Sequence, residues 1–149
     1  MKKSLAYLSL IAFSMILPAA LLKADDGWTT DYNKALAQAK AENKMVLVDF
    51  TGSDWCPWCK KLDSEVFDQP KFKDYAKKNL ILVECDFPRA KEQPADVKRQ
   101  NEELQDQFNI QGYPTVIVLN PNGKKVGELG YEPGGPDVFL ADLQKLSKS

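Results

Sequence analysis

Hydrophobic positions along the chain fall into short blocks whose period changes from one block to the next. Tyr32, Ala35, Leu36 and Ala39 recur at helical spacing, and Thr30 or Asp31 ahead of them suits the cap of a helix ending near Asn43. Met45-Val46-Leu47-Val48-Asp49-Phe50 is almost continuously apolar, the pattern of a strand covered on both faces, with an acid inside it. A second helix is expected from the cysteines at 56 and 59, because Pro57 suits the first helical position and Cys59, Leu62, Val66 and Phe67 share one face. Pro70 interrupts it. A short helix from Phe72 to Lys78 then leads into a strand running from Leu80 to Asp86.

Phe87 to Pro94 reads as a loop, and Ala95 to Phe108 as a polar helix with a sparse stripe at Val97, Leu104 and Phe108. Thr115 to Leu119 and Lys125 to Leu129 flank the turn Asn120-Pro121-Asn122-Gly123 and predict a β-hairpin. After a loop from Gly130 to Pro136, a closing helix turns Val138, Phe139, Leu143 and Leu146 inward. Strands separated by helices imply parallel crossovers, while the hairpin adds antiparallel strands. The expected class is therefore α/β, with a central mixed sheet of about four strands flanked by helices on both faces.

The first residues stand apart from this pattern. Lys2 and Lys3 precede an uncharged run from Leu5 to Leu22, with small residues at Ala19, Ala20 and Ala24. Residues 1–24 read as a secretory signal peptide, leaving residues 25–149 as one exported domain; the same run is long enough for an uncleaved membrane anchor. Loss of Lys2, Lys3 and Lys23 would leave the exported part mildly acidic.

Composition narrows the chemistry. Among 149 residues, 20 basic side chains face 21 acidic ones for a formal net charge of −1, which excludes the basic footprint of a nucleic-acid binder. The chain has no histidine, so Ser-His-Asp and Cys-His mechanisms and His-ligated zinc sites are excluded as well. Three cysteines remain, Cys56 and Cys59 three positions apart and Cys85 by itself.

Trp55-Cys56-Pro57-Trp58-Cys59 places two thiols on the first turn of a helix, where they can close a small disulfide. Cys56 stands at the helix tip, where unpaired backbone N–H groups and the helix dipole favour an anion. Lys60 adds a positive neighbour and Asp54 opposes it. The thiolate is the nucleophile, so Cys56 is expected to have a lowered pKa and to attack first. Cys59, on the face with Leu62 and Val66, is expected to be more buried and to resolve a mixed disulfide formed on Cys56. The rival readings are a structural staple, which removes little entropy from so short a loop, and half of a zinc site, which only carboxylates could complete. No metal and no cofactor are expected. Cys85, at the end of a buried strand, reads either as inert packing or as a regulatory or intermolecular thiol.

Val48-Asp49-Phe50, Trp55-Cys56-Pro57-Trp58-Cys59-Lys60, Gly112-Tyr113-Pro114-Thr115, the hairpin and the last helix together resemble the thioredoxin fold over residues 28 to 147. Phe50-Thr51-Gly52-Ser53-Asp54-Trp55-Cys56, Asp86-Phe87-Pro88 and Glu132-Pro133-Gly134-Gly135 make the chain similar to small periplasmic thioredoxin-like disulfide reductases of the DsbH type. That resemblance implies a monomeric, periplasmic dithiol-disulfide oxidoreductase. It further implies that Pro114 is a cis-proline facing the sulfurs, a place where the preceding backbone could pair with an extended substrate; the other reading is a trans-proline at a strand start. Trp55, Pro57, Trp58, Tyr113 and Pro114 then form the substrate groove, although Trp55 reads equally as core.

By its strand motif Asp49 corresponds to the buried acid that exchanges a proton with the resolving cysteine. The loop from Asp49 to Cys56 is one residue longer than in thioredoxin, and Leu82 is expected in place of the lysine that usually accompanies this acid. Asp49 is thus either a proton shuttle or a hydrogen-bonded structural aspartate. The interval from Cys56 to Pro114 does not accommodate the extra helical domain of DsbA-type oxidases, which favours a reductase. Its partners would be disulfide-bonded or unfolded exported polypeptides and a membrane-embedded thiol electron donor. The alternatives are a dithiol oxidase of secreted proteins and a non-catalytic binding or chaperone module.

Overall fold

The computed structural model describes residues 27–148, so the signal-peptide expectation for residues 1–24 lies outside the described residues. Strand β1 (Trp28–Thr29) precedes helix α1 (Tyr32–Glu42), β2 (Met45–Thr51) and α2 (Pro57–Leu62). A π-helical turn (Asp63–Phe67) carries α2 forward to α3 (Pro70–Asn79), followed by β3 (Leu80–Asp86) and α4 (Ala95–Phe108). The hairpin β4 (Thr115–Leu119) and β5 (Lys125–Leu129) and helix α5 (Gly135–Leu146) complete the order.

Local chemistry sets these boundaries. Asp31 caps α1 by accepting the Lys34 N–H at 2.9 Å, and Asn43 ends the helix in the left-handed conformation at φ 52°. Asn120 fixes the hairpin turn by accepting the N–H groups of Asn122 and Lys124, each at 3.0 Å. In α5 Phe139, Leu140 and Leu143 are buried and Leu146 packs partly buried against the same core, whereas Val138 is 37% exposed. The helix begins at Gly135, so Val138 lies in its first turn, beside Gly134 rather than over the core.

The sheet has the order β1-β3-β2-β4-β5, with β2 parallel to β3 and antiparallel to β4. It holds five strands rather than about four, because Trp28–Thr29 adds to the edge of β3 opposite Leu82 and Val83. Two residues are too few to show a period; the Trp28 ring is held instead by Phe67, with centroids 5.1 Å apart.

Two cores lie on the two faces. Leu47, Leu82, Val116 and Val118 pack with Leu62, Val66, Phe72, Phe139 and Leu143 from α2, the π-helical turn, α3 and α5. Val48, Phe50, Val83, Cys85 and Ile117 pack with Ala35, Ala39 and Leu104 from α1 and α4. Side chains alternate along β2, so Asp49 and Thr51 lie on the Leu47 face, beneath α2, while Cys85 lies on the other. This alternation separates Cys85 from the cysteine pair.

Candidate functional site

Cys56 is the N-cap of α2 and Pro57 its first helical residue. The two cysteines form a disulfide with Cα atoms 5.3 Å apart, and Cys56 Sγ accepts the Cys59 N–H at 3.2 Å. The helix thus uses a sulfur where serine or aspartate usually stands. The expected contrast in burial is slight, with Cys56 3% and Cys59 1% exposed. Position distinguishes them more clearly: Cys56 faces the open helix end, and Cys59 is inside the first turn. Lys60 Nζ donates to the Asp54 carbonyl at 3.1 Å. The Asp54 carboxylate accepts the N–H groups of Arg89 and Ala90, which hold its pKa below the usual range.

The loop Thr51–Trp55 is tied to the end of β3. Asp86 accepts the Ser53 N–H at 2.9 Å and its hydroxyl at 2.6 Å, while Phe87 N–H donates to the Thr51 carbonyl at 2.9 Å. Trp55 Nε1 donates to the Phe87 carbonyl at 2.8 Å, and Arg89 lies 3.8 Å from a Trp55 ring centroid. The Trp55 and Tyr113 rings meet edge-on at 5.8 Å, Phe87 lies 5.3 Å from Tyr113, and the Tyr113 hydroxyl donates to Gln105. Trp55 is therefore half-buried and held by Phe87, Arg89 and Tyr113. The Tyr113–Pro114 peptide is cis, at the start of the strand that pairs Thr115 with Phe50.

Trp58 belongs to a different cluster. It is 56% exposed, and its ring lies 5.4 Å from Tyr131. The strand order places the Phe87 loop and the Tyr131 loop on either side of the end of β2 and the start of β4, so the cysteines lie between two aromatic groups.

Asp49 is 4% exposed, and its Oδ1 and the Thr51 Oγ1 have no hydrogen-bond partner among the described residues. Burial, with the charges of Asp63, Glu84 and Asp86, raises the Asp49 pKa well above that of an ordinary carboxyl. The residue opposite Asp49 on β3 is Glu84, while Leu82 lies opposite Leu47. The expected exchange of lysine for Leu82 is therefore corrected: a carboxylate, not an apolar residue, neighbours the buried acid. Asp63, one helical turn after Cys59, is half-buried and pushed up to about 6 by burial and the charges of Asp68 and Asp86. Its spacing from Cys59 was a signal available in the sequence; Arg89 and Tyr131 had none, since only tertiary contacts bring them to the site.

A disulfide at the head of a helix, on a mixed sheet whose strand β4 follows a cis-proline, defines a thioredoxin-fold redox protein. The thioredoxin-like domain family matches residues 32–146. Disulfide bond reductase DsbH of Chlamydia pneumoniae is 34% identical over 117 residues, covering 78% of this chain and 70% of that protein. Thioredoxin-related protein DsbJ of the same organism is 31% identical over 140 residues, 89% of this chain but 40% of that protein. The solved structure of the DsbH oxidoreductase matches with a TM-score of 0.77 at 34% identity, covering 81% of this chain and 83% of its own. A thioredoxin from Thermus thermophilus, at 24% identity and a TM-score of 0.60 over 80% of this chain and 85% of that one, shares the fold. The chain belongs to the thioredoxin-like family and is a thiol-disulfide oxidoreductase.

Proposed function

We propose that this protein is a periplasmic disulfide reductase of exported polypeptides, delivered by residues 1–24 as a signal peptide and acting as a monomeric domain of residues 25–149. The observation that carries this reading is the Cys56–Cys59 disulfide at the cap of α2, above the buried Asp49. Its similarity to a disulfide bond reductase of Chlamydia pneumoniae supports the direction.

In the reduced protein the Cys56 thiolate attacks one sulfur of a substrate disulfide, forming a mixed disulfide and releasing one substrate thiolate, which takes a proton from solvent. The Asp49 carboxylate takes the Cys59 proton, and the Cys59 sulfur attacks Cys56 Sγ. The second substrate thiolate leaves and is protonated. Two electrons have passed to the substrate, and the Cys56–Cys59 disulfide awaits a membrane-embedded thiol donor. Trp55, Pro57, Trp58, Tyr113 and Pro114 line the groove, where the chain before cis-Pro114 offers backbone groups to an extended segment.

The test is reduction of insulin by dithiothreitol with and without the domain. Acceleration that disappears in Cys56→Ser supports the reading, whereas no acceleration by the wild-type protein contradicts it.

A further inference from the structure

Trp58 is a large apolar side chain left more than half exposed between the two cysteines, yet it is not loose. Its ring lies against Tyr131 at 5.4 Å with the planes 35° apart. Lys61 Nζ covers both rings, 5.6 Å from the Trp58 centroid and 5.3 Å from that of Tyr131. The Tyr131 hydroxyl donates to Glu65 Oε2 at 2.7 Å, and Glu65 Oε1 lies 3.6 Å from Lys61 Nζ. Tyr131 follows directly on Gly130, where an added Cβ would lie 3.7 Å from the Pro114 carbonyl oxygen. The cluster therefore joins the helix that carries the cysteines to the loop beside the cis-proline.

An exposed indole packed against a ring that is itself hydrogen-bonded to Glu65, with a cation over both, has less rotamer freedom to lose when a substrate arrives. Immobilising such a side chain on binding would otherwise cost affinity. We propose that Tyr131 is a positioning residue: with Glu65 and Lys61 it clamps the Trp58 indole as a fixed platform for an apolar or aromatic residue flanking the target cysteine of a polypeptide. This rests on the reading of the substrate as a polypeptide disulfide. The platform discriminates by what flanks the sulfur, so it acts on polypeptides and not on small aliphatic disulfides.

The experiment compares wild type, Tyr131→Ala and Tyr131→Phe on two substrates: a disulfide-linked peptide with phenylalanine beside cysteine, and hydroxyethyl disulfide. Tyr131→Ala is expected to raise KM for the peptide about fivefold more than KM for the small disulfide, the size of a lost aromatic pair. Tyr131→Phe, which keeps the ring and loses only the hydroxyl, should recover most of that difference. Equal changes on both substrates would overturn the proposal. Fluorine NMR of fluorotryptophan-labelled protein reads the clamp without turnover: Tyr131→Ala should shift and broaden the Trp58 resonance. An unmoved resonance overturns the clamp even if the protein reduces disulfides; a shifted one in a protein that reduces none supports the clamp and defeats the substrate reading. Should Tyr131→Ala not fold, Tyr131→Leu replaces it in both arms.

Discussion

Cys56 Sγ accepts the backbone N–H of Cys59 at 3.2 Å, so one sulfur both closes the disulfide and caps helix α2. After reduction the same geometry leaves Cys56 facing a donor at the positive end of the helix, while Cys59 is inside the turn. Iodoacetamide is therefore expected to label Cys56 before Cys59 in the reduced protein, as read by mass spectrometry of timed samples. Cys59→Ser should accumulate a mixed disulfide with substrate, and Cys56→Ser should form none. Preferred labelling of Cys59 would reverse the assignment of nucleophile and resolver.

Cys85 pairs in register with Phe50 and packs against α1 and α4, on the sheet face away from Asp49 and α2. It is fully buried, and desolvation with the charges of Asp49 and Glu84 pushes its thiol up to about 12. It should resist alkylation until the protein unfolds. Cys85→Ser places a hydroxyl in an apolar site and is expected to lower stability by about 1–3 kcal/mol in urea titrations while insulin reduction persists. Loss of turnover in a folded Cys85→Ser would restore the regulatory reading.

A proton-shuttle role for Asp49 would tie catalysis to stability. Its pKa is raised in the folded protein, so above the ordinary carboxyl range the native state holds a proton that the unfolded chain has released. Stability contributed by this group is full at acid pH and is lost as pH rises toward the folded pKa. Asp49→Asn cannot ionise; relative to wild type it should gain stability as pH rises above the ordinary carboxyl range, in urea unfolding of the oxidised protein. It should also slow resolution of the mixed disulfide by about a hundredfold or more, the usual worth of a positioned base. A variant with wild-type turnover at every pH would remove Asp49 from the mechanism.

Gly52 lies under the Trp55 indole, where an added Cβ would meet ring atoms at 2.5 to 2.7 Å. The ring is held by Phe87 and Arg89, so it cannot yield without losing a hydrogen bond. Gly52→Ala is expected to cost about 1–3 kcal/mol and to change the Trp55 fluorescence. Unchanged stability and emission would show that the packing around Trp55 is softer than its contacts imply.

Sequence patterning revealed the elements whose signal is local. The continuous apolar run of β2, Pro57 at the head of α2 and the Asn120–Gly123 turn each carry their own chemistry, and all were legible. What escaped depends on register and on residues far apart in the chain. Glu84 rather than Leu82 faces Asp49 because strand pairing, not motif spacing, decides the neighbour. Asn101, 1% exposed within a polar helix, is buried because its amide donates to the Asp86 carbonyl at 3.0 Å. Tyr131 reaches Trp58 only after β5 returns the chain to the cysteines.

If Cys56–Cys59 works as a reducing couple, equilibration against glutathione buffers of graded potential will show it. Fractional oxidation, read by alkylation and mass spectrometry, should give a potential close to that of thioredoxin, about −270 mV. A value near the strong oxidant DsbA, about −120 mV, would contradict the reductase account and make the same dithiol a donor of disulfides.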